Sequence, residues 1–378
     1  MLSIIAPLDA KPGAQTDGVP LKSDPHAERT LPQPAAGASG PTHAQLRAVG
    51  EGRSPPLILA DRYRVERRLG RGGMAMVYAG RLLSIDRTVA IKILNEDHRY
   101  RDDRLARFVA EAHMTSHLRH PNIVDVLDFG STQEGVVFMV MELLEGEDLR
   151  AMVRRDGPLP WPRVQSLMRD ICSGLSAAHH AGLVHRDLKP ANCFYVDDTV
   201  KLLDFGVATH SSVSAGERMT SVEDDPTQTL DPGWTDQFTG DRRVIGTPEY
   251  MSPEQAQGHP VDARSDIYAA GILLGELLTG RVPFESTCAT GVISAQIFDP
   301  PPTLQELGGE EFVVVEAIEA IYARALSKAP DDRFATIEAF AAAIAAVVPV
   351  TMHPRWWRRP GVMAAATTLA GLLAVMSI

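Results

Sequence analysis

Eight consecutive residues, His185-Arg186-Asp187-Leu188-Lys189-Pro190-Ala191-Asn192, place an acid, two cations and a carboxamide within one tight turn. That set suits phosphoryl transfer. A carboxylate must orient a hydroxyl nucleophile, a lysine must face the transferred group, and an amide oxygen must help to hold a metal ion. A charged surface turn is the plain alternative. It stands only if the other groups this chemistry needs are missing: a cation for the remaining phosphates, a second metal ligand, and backbone that can approach a polyphosphate.

Each has a candidate. Val89-Ala90-Ile91-Lys92-Ile93-Leu94 reads as a buried strand with one lysine inside it, and such a lysine needs an anionic partner. Leu105, Phe108, Val109 and Ala112 recur with helical spacing and carry Glu111 among them. Glu111 is therefore the expected partner, since Glu96, Asp97, Asp102 and Asp103 precede the stripe. A strand-like pattern at 63–69 leads into Gly70-Arg71-Gly72-Gly73-Met74-Ala75-Met76-Val77. Glycines between two strands let backbone N–H groups face phosphate oxygens. Downstream, a short strand at 200–203 ends in Asp204-Phe205-Gly206.

Together these stretches resemble the motifs of eukaryotic-type protein kinases: H-R-D-L-K-P-x-N, G-x-G-x-x-G-x-V, V-A-I-K and D-F-G. Lys189 is similar to the Ser/Thr branch. Gly246-Thr247-Pro248-Glu249-Tyr250-Met251-Ser252-Pro253-Glu254 resembles the bacterial form G-T-x-x-Y-x-S-P-E. Ala75 stands where a third glycine is usual, and Ser252 replaces the alanine of A-P-E. The resemblance implies an α+β bilobal fold over 63–348, with a small, mainly antiparallel β lobe and a larger helical lobe. ATP is expected between them. Leu69 to Val77, Ala90, Met141 as gatekeeper, and Glu142 to Leu144 as hinge would surround it. Lys92, paired with Glu111, would hold the α- and β-phosphates. Asp187 would take or orient the substrate hydroxyl proton, Lys189 would neutralise the γ-phosphoryl group, and Asp204 and Asn192 would hold Mg²⁺. By the same resemblance, Asp266 should cap the catalytic turn, and Arg333 should pair with Glu254. Arg186 would receive a phosphate from the activation segment. Thr220, Thr227, Thr229, Thr235 and Thr239 are candidate acceptors, with Thr239 favoured, while Thr247 would shape the peptide site beside Asp187 and Lys189.

The remaining chain must position these groups. Strands are expected at 121–124 and 136–143. A helix at 161–181 carries the stripe Val164, Leu167, Met168, Ile171, Leu175 and Ala178, with Gly182 closing it. Residues 1 to about 60, rich in Pro, Gly, Ala and Ser, read as a disordered tail. Residues 211–241, rich in Ser, Thr and acids, read as a mobile insertion in the activation segment.

A net charge of −11 argues against a nucleic-acid partner. Cys172, Cys193 and Cys288 form no CxxC pair and read as buried small apolar residues in a reducing compartment. Partners are then protein substrates, ATP, a membrane, and a second copy of the chain for autophosphorylation. A catalytically silent scaffold is the rival reading, disfavoured because Lys92, Asp187, Asn192 and Asp204 are all present. A small-molecule phosphotransferase is disfavoured by the peptide-positioning segment.

The membrane expectation rests on 361–378, a run without charge behind the basic and aromatic linker 349–360. Eighteen helical residues span about 27 Å, close to the hydrocarbon core. Trp356 and Trp357 suit the interface, and Arg355, Arg358 and Arg359 suit the cytoplasmic side. The expectation is a single-pass helix in the inner membrane with the kinase in the cytoplasm and no outer sensing domain. Truncation after Val350 should leave a soluble, active enzyme while the whole chain partitions into membranes. Intact chain in the soluble fraction of gently lysed cells would rule the anchor out.

Overall fold

The computed structural model describes residues 40–72, 75–95, 101–205, 247–309 and 314–348. The smaller lobe is built on a six-stranded antiparallel sheet. Its strands are β1 (Leu57–Leu59), β2 (Tyr63–Arg71), β3 (Ala75–Leu82), β4 (Arg87–Leu94), β5 (Val126–Ser131) and β6 (Val137–Glu142), in the order β1-β2-β3-β4-β6-β5. Successive side chains of a strand face opposite sides. Val89, Ile91 and Ile93 enter one apolar cluster with Met76, Tyr78, Phe138 and Val140. Ala90 and Leu94 enter another with Ala75, Met139 and Met141, closed by Phe108 and Ala112. These last two lie on helix α2 (Arg101–Ser116), which follows α1 (His43–Gly50) in the chain.

Helix α1 corrects the tail expected over 1 to about 60. Thr42 and Gln45 form a reciprocal capping box. Leu46 and Val49, one turn apart, bury against the Tyr63, Val65 and Tyr78 face of the sheet. His43 Nε2 donates to Leu94 O at 2.9 Å, and Gly40 N donates to the Glu134 carboxylate at 2.8 Å. Eight residues are too few to hold a helix in isolation, so the sheet stabilises it. Residues 1–39 lie outside the described residues, as do the insertion 211–241 and the apolar run 361–378. No helix among the described residues is long and apolar enough to cross a membrane.

A second correction concerns 121–124, expected as a strand. Only Ile123 makes a bridge there, to Leu202. Asn122 Nδ2 donates to Val200 O at 2.9 Å and Val124 N to Leu202 O at 3.0 Å. The segment is thus fastened to the other lobe, and the strand forms later, as β5.

The larger lobe carries α3 (Leu149–Asp156), α4 (Trp161–His180), α5 (Pro253–Ala256), α6 (Ala263–Thr279), α7 (Ala289–Phe298), α8 (Leu304–Gly308), α9 (Glu316–Ala325) and α10 (Ile337–Ala346). A small sheet of β7 (Glu147–Asp148), β8 (Cys193–Val196) and β9 (Thr199–Leu202) lies beside the catalytic turn. The expected stripe of α4 is buried. Helix α6 is buried on nearly all sides, as the lobe's central post requires. A Cβ at Gly271 or Gly275 would meet Leu326 at 2.4 Å or Tyr322 at 2.7 Å, so glycine permits that close approach. Arg333 grips Glu254 with two bonds of 2.8 Å, as the sequence led us to expect. Removing one partner of such a buried pair costs about 3–5 kcal/mol. Cys172 and Cys193 are buried, but Cys288 is exposed at the head of α7, contrary to expectation.

Leu46 is 1% exposed. Leu46→Ala should therefore cost about 2–5 kcal/mol in a denaturant melt. A parent-like midpoint would show that α1 does not pack on the sheet.

Candidate active site

The alternation of β4 decides where Lys92 points. It shares a face with Ala90 and Leu94, toward α2, and its side chain is 8% exposed. Its Nζ lies 2.6 Å from Glu111 Oε1, as expected, and also 2.8 Å from Asp204 Oδ1, which the sequence did not foretell. Burial alone would lower the Lys92 pKa. The carboxylates of Asp204 and Glu111 more than offset that and hold it above its ordinary value. Burial tends to raise Asp204, but Lys92 outweighs it and keeps that carboxyl below its usual range. Glu111, the more enclosed acid, is pushed up to about 7 because burial outweighs its share of the ammonium.

The glycine-rich turn sits at the end of the same sheet. Gly72 N donates to Ala75 O at 2.8 Å, which closes the turn. A Cβ at Gly70 would meet nothing within 4 Å, so its backbone stands open. Gly73 and Met74 lie outside the described residues. Ala75, in place of the usual glycine, is the first residue of β3 and its methyl group is buried beside Leu94. Val77, Ala90, Met141 and Leu144 all belong to the α2-side cluster. Met76 does not. Alternation sends its side chain to the opposite cluster, so only its backbone can serve a nucleotide on this side. Leu69 is 41% exposed at the rim. Glu142 does more than the backbone contacts expected of a hinge. Its Oε1 accepts from Asp125 N at 2.9 Å and Lys201 Nζ at 2.8 Å, so it joins the two lobes.

In the candidate catalytic turn, Lys189 and Asn192 both reach Asp187, while the expected Thr247 contact is made to Lys189 alone. Lys189 Nζ donates to Asp187 Oδ2 at 2.7 Å and to Thr247 Oγ1 at 2.9 Å. Asn192 Nδ2 donates to Asp187 O at 2.8 Å and to Oδ2 at 3.0 Å. The turn is held from below. Asp266 accepts from the backbone N–H groups of His185 and Arg186 at 2.8 Å each, and from His179 Nε2 at 2.7 Å. His185 donates from Nε2 to Leu203 O at 3.1 Å and accepts at Nδ1 from Asp187 N at 3.4 Å. The ring is thus a neutral Nε2–H tautomer, and burial holds its pKa down. Gln255 Nε2 donates to Arg186 O at 2.8 Å. The contacts of His179, Lys201 and Gln255 went unread in the sequence. Only the S-x-x-Q spacing of Ser252 and Gln255, a capping-box signature, could have signalled one of them. Thr239 lies outside the described residues.

The model of the protein kinase domain matches residues 63–342. The chain belongs to the protein kinase family. It is 41% identical over 296 residues to serine/threonine-protein kinase pkn3 of Myxococcus xanthus, covering 76% of this chain and 50% of that protein. It is 36% identical over 286 residues to serine/threonine-protein kinase PknB of Mycobacterium leprae, covering 74% and 42%. The chain therefore spans about half the length of the curated relatives it matches. A crystal structure of a mutant PknI kinase domain from Mycobacterium tuberculosis superimposes with a TM-score of 0.54 at 26% identity, covering 75% of this chain and 94% of that one.

For a protein kinase, the donor set fits a nucleotide with a divalent ion. Asp204 and Asn192 supply hard oxygens, and an ion bridged to phosphates needs few protein ligands. Among the described residues no group of three or more His, Cys, Asp or Glu could cage a metal. Asp187→Asn should lower transfer about 10²–10⁴-fold while ATP binding persists, and Lys92→Met about 10²–10³-fold. Steady-state rates beside nucleotide titrations check both, and a parent rate in either variant would overturn its assigned role.

Proposed function

We propose that the chain is an ATP- and Mg²⁺-dependent protein kinase acting on Ser and Thr hydroxyls, regulated by autophosphorylation and tethered to a membrane. The observation that carries the reading is the bridge from Asp187 through Lys189 to Thr247. It seats the hydroxyl-orienting acid beside the peptide-positioning segment, and the closed Lys92–Glu111 pair sets the phosphate-holding cation at the same time.

Asp187 orients the substrate hydroxyl and receives its proton. Lys189 balances charge on the transferred group. Lys92 holds the remaining phosphates, with Glu111 and Asp204 keeping its ammonium in place. Mg²⁺ at Asp204 and Asn192 would screen the phosphates. Catalysis is then mostly positioning and electrostatic stabilisation. The relatives' names as serine/threonine-protein kinases support the hydroxyl specificity. The tether is the run 361–378, with the kinase facing the cytoplasm, where ATP is. A homodimer would let one copy modify the other.

Arg186 is the switch cation in this reading, and the acceptor lies within 211–241, Thr239 first among its threonines. Phosphate there would order the segment. Incubation with labelled ATP, Mg²⁺ and a generic protein substrate should give transfer, which a silent scaffold would not. Phosphopeptide mapping of the wild type beside Asp187→Asn should then place phosphate in 211–241 of the wild type alone. Thr239→Ala should lower activity and Thr247→Ala should nearly abolish it. A fully active wild type unmodified in that segment would rule out the switch.

A further inference from the structure

The segment that follows Thr247 is held by a side chain outside every motif described above. Gln296, on α7, is fully buried at 0% exposure. Its Nε2 donates to Glu249 O at 2.7 Å and to Pro248 O at 3.2 Å, so both amide protons are used on consecutive carbonyls. Its Oε1 accepts from the Tyr268 hydroxyl on α6 at 2.6 Å. Its own backbone carbonyl accepts from Lys328 Nζ at 2.7 Å. Ile293 and Ile297, on either side along α7, pack with Ala256 and Met251. One helix therefore grips the same segment by hydrogen bonds and by apolar contact.

A buried carboxamide must satisfy two donors and an acceptor, and here all three find partners from two different elements. The turn it holds adjoins the residue that Lys189 reaches. Pro248 and Glu249 begin the turn Pro248–Tyr250, and Thr247 immediately before it accepts from Lys189, which bonds Asp187. We propose that Gln296 is a positioning residue for the acceptor peptide: by fixing two carbonyls of this turn, it sets the wall against which the substrate chain lies beside Asp187. The inference rests on the protein-kinase reading and adds to it a residue that touches neither ATP nor the reacting atoms.

Gln296→Met keeps the side-chain length and leaves the carbonyls of Pro248 and Glu249 without their donor. Peptide KM should rise about tenfold, with kcat and ATP KM within about twofold of the parent. Tyr268→Phe leaves both Nε2 donors in place and should keep peptide KM within about twofold. If Gln296→Met does not fold, Gln296→Asn, too short to reach both carbonyls, carries the same expectation. A merely structural role would lower the melting temperature and kcat through loss of active protein and leave peptide KM unmoved. That result, or a parent-like peptide KM in a folded Gln296 variant, overturns the proposal. A parent chain that transfers no phosphate to any peptide overturns the kinase reading, and this inference falls with it.

Discussion

One buried ammonium ties the molecule together. Lys92 meets two carboxylates at 2.6 and 2.8 Å, from α2 and from the segment after β9. An ammonium left alone in such surroundings would cost several kcal/mol. Strand β4 must therefore turn this face to α2, α2 must dock with Glu111 inward, and the larger lobe must reach across with Asp204. The sharing is uneven. Lys92 keeps the Asp204 carboxyl below its usual range, while burial makes Glu111 the weaker acid of the two. Two carboxyl groups already hold the ammonium in place, with Asp204 as the firmer anion.

A second constraint acts on the backbone. Arg186 has φ of 64° and Asp204 has φ of 50°, both in the left-handed region that side chains disfavour. Each such residue costs on the order of 1–3 kcal/mol and persists where its surroundings over-determine it. Asp266 supplies that at Arg186 by accepting two consecutive backbone N–H groups, and Gln255 fixes the carbonyl of the same residue. Asp204 is held by its bond to Lys92. Of the seven non-glycine residues in the left-handed region among those described, these two flank the candidate reacting region, and the contacts that hold them come from α5, α6 and β4.

The residues of the candidate site were legible in the sequence because the chemistry proposed for them restricts residue type at each position. A lysine inside an apolar strand demands an acid, and helical spacing pointed to Glu111. The bilobal α+β architecture followed from the resemblance and from strong patterns such as α4. Elements decided by distant partners were not legible. Helix α1 offers only Leu46 and Val49 as core residues, too few to show a period, and exists because the sheet face beneath it is apolar. Strand β5 contains Asp128 and Gly130, poor strand formers, and forms because β6 pairs with it and Tyr63 bonds Asp128. Asn122 looked like part of a strand, yet its partner is Val200. Met76 follows the ordinary alternation of a strand, which a motif read as one unit conceals.

The two departures from the family pattern have different physical meanings. Ala75 is tolerated. It begins a strand whose face there is apolar, so the methyl group adds packing at a place that needs no left-handed backbone. Ser252 contributes something an alanine cannot. It caps α5, accepting from Gln255 N, while Gln255 Oε1 accepts from Ser252 N at 3.1 Å. Serine at this position stabilises a helix start by about 1 kcal/mol over alanine, and α5 has only four residues to lose. The same capping box orients Gln255 so that its amide reaches Arg186 O. A substitution that looks conservative in the motif therefore links residues 252–255 to the left-handed backbone at Arg186 through Gln255.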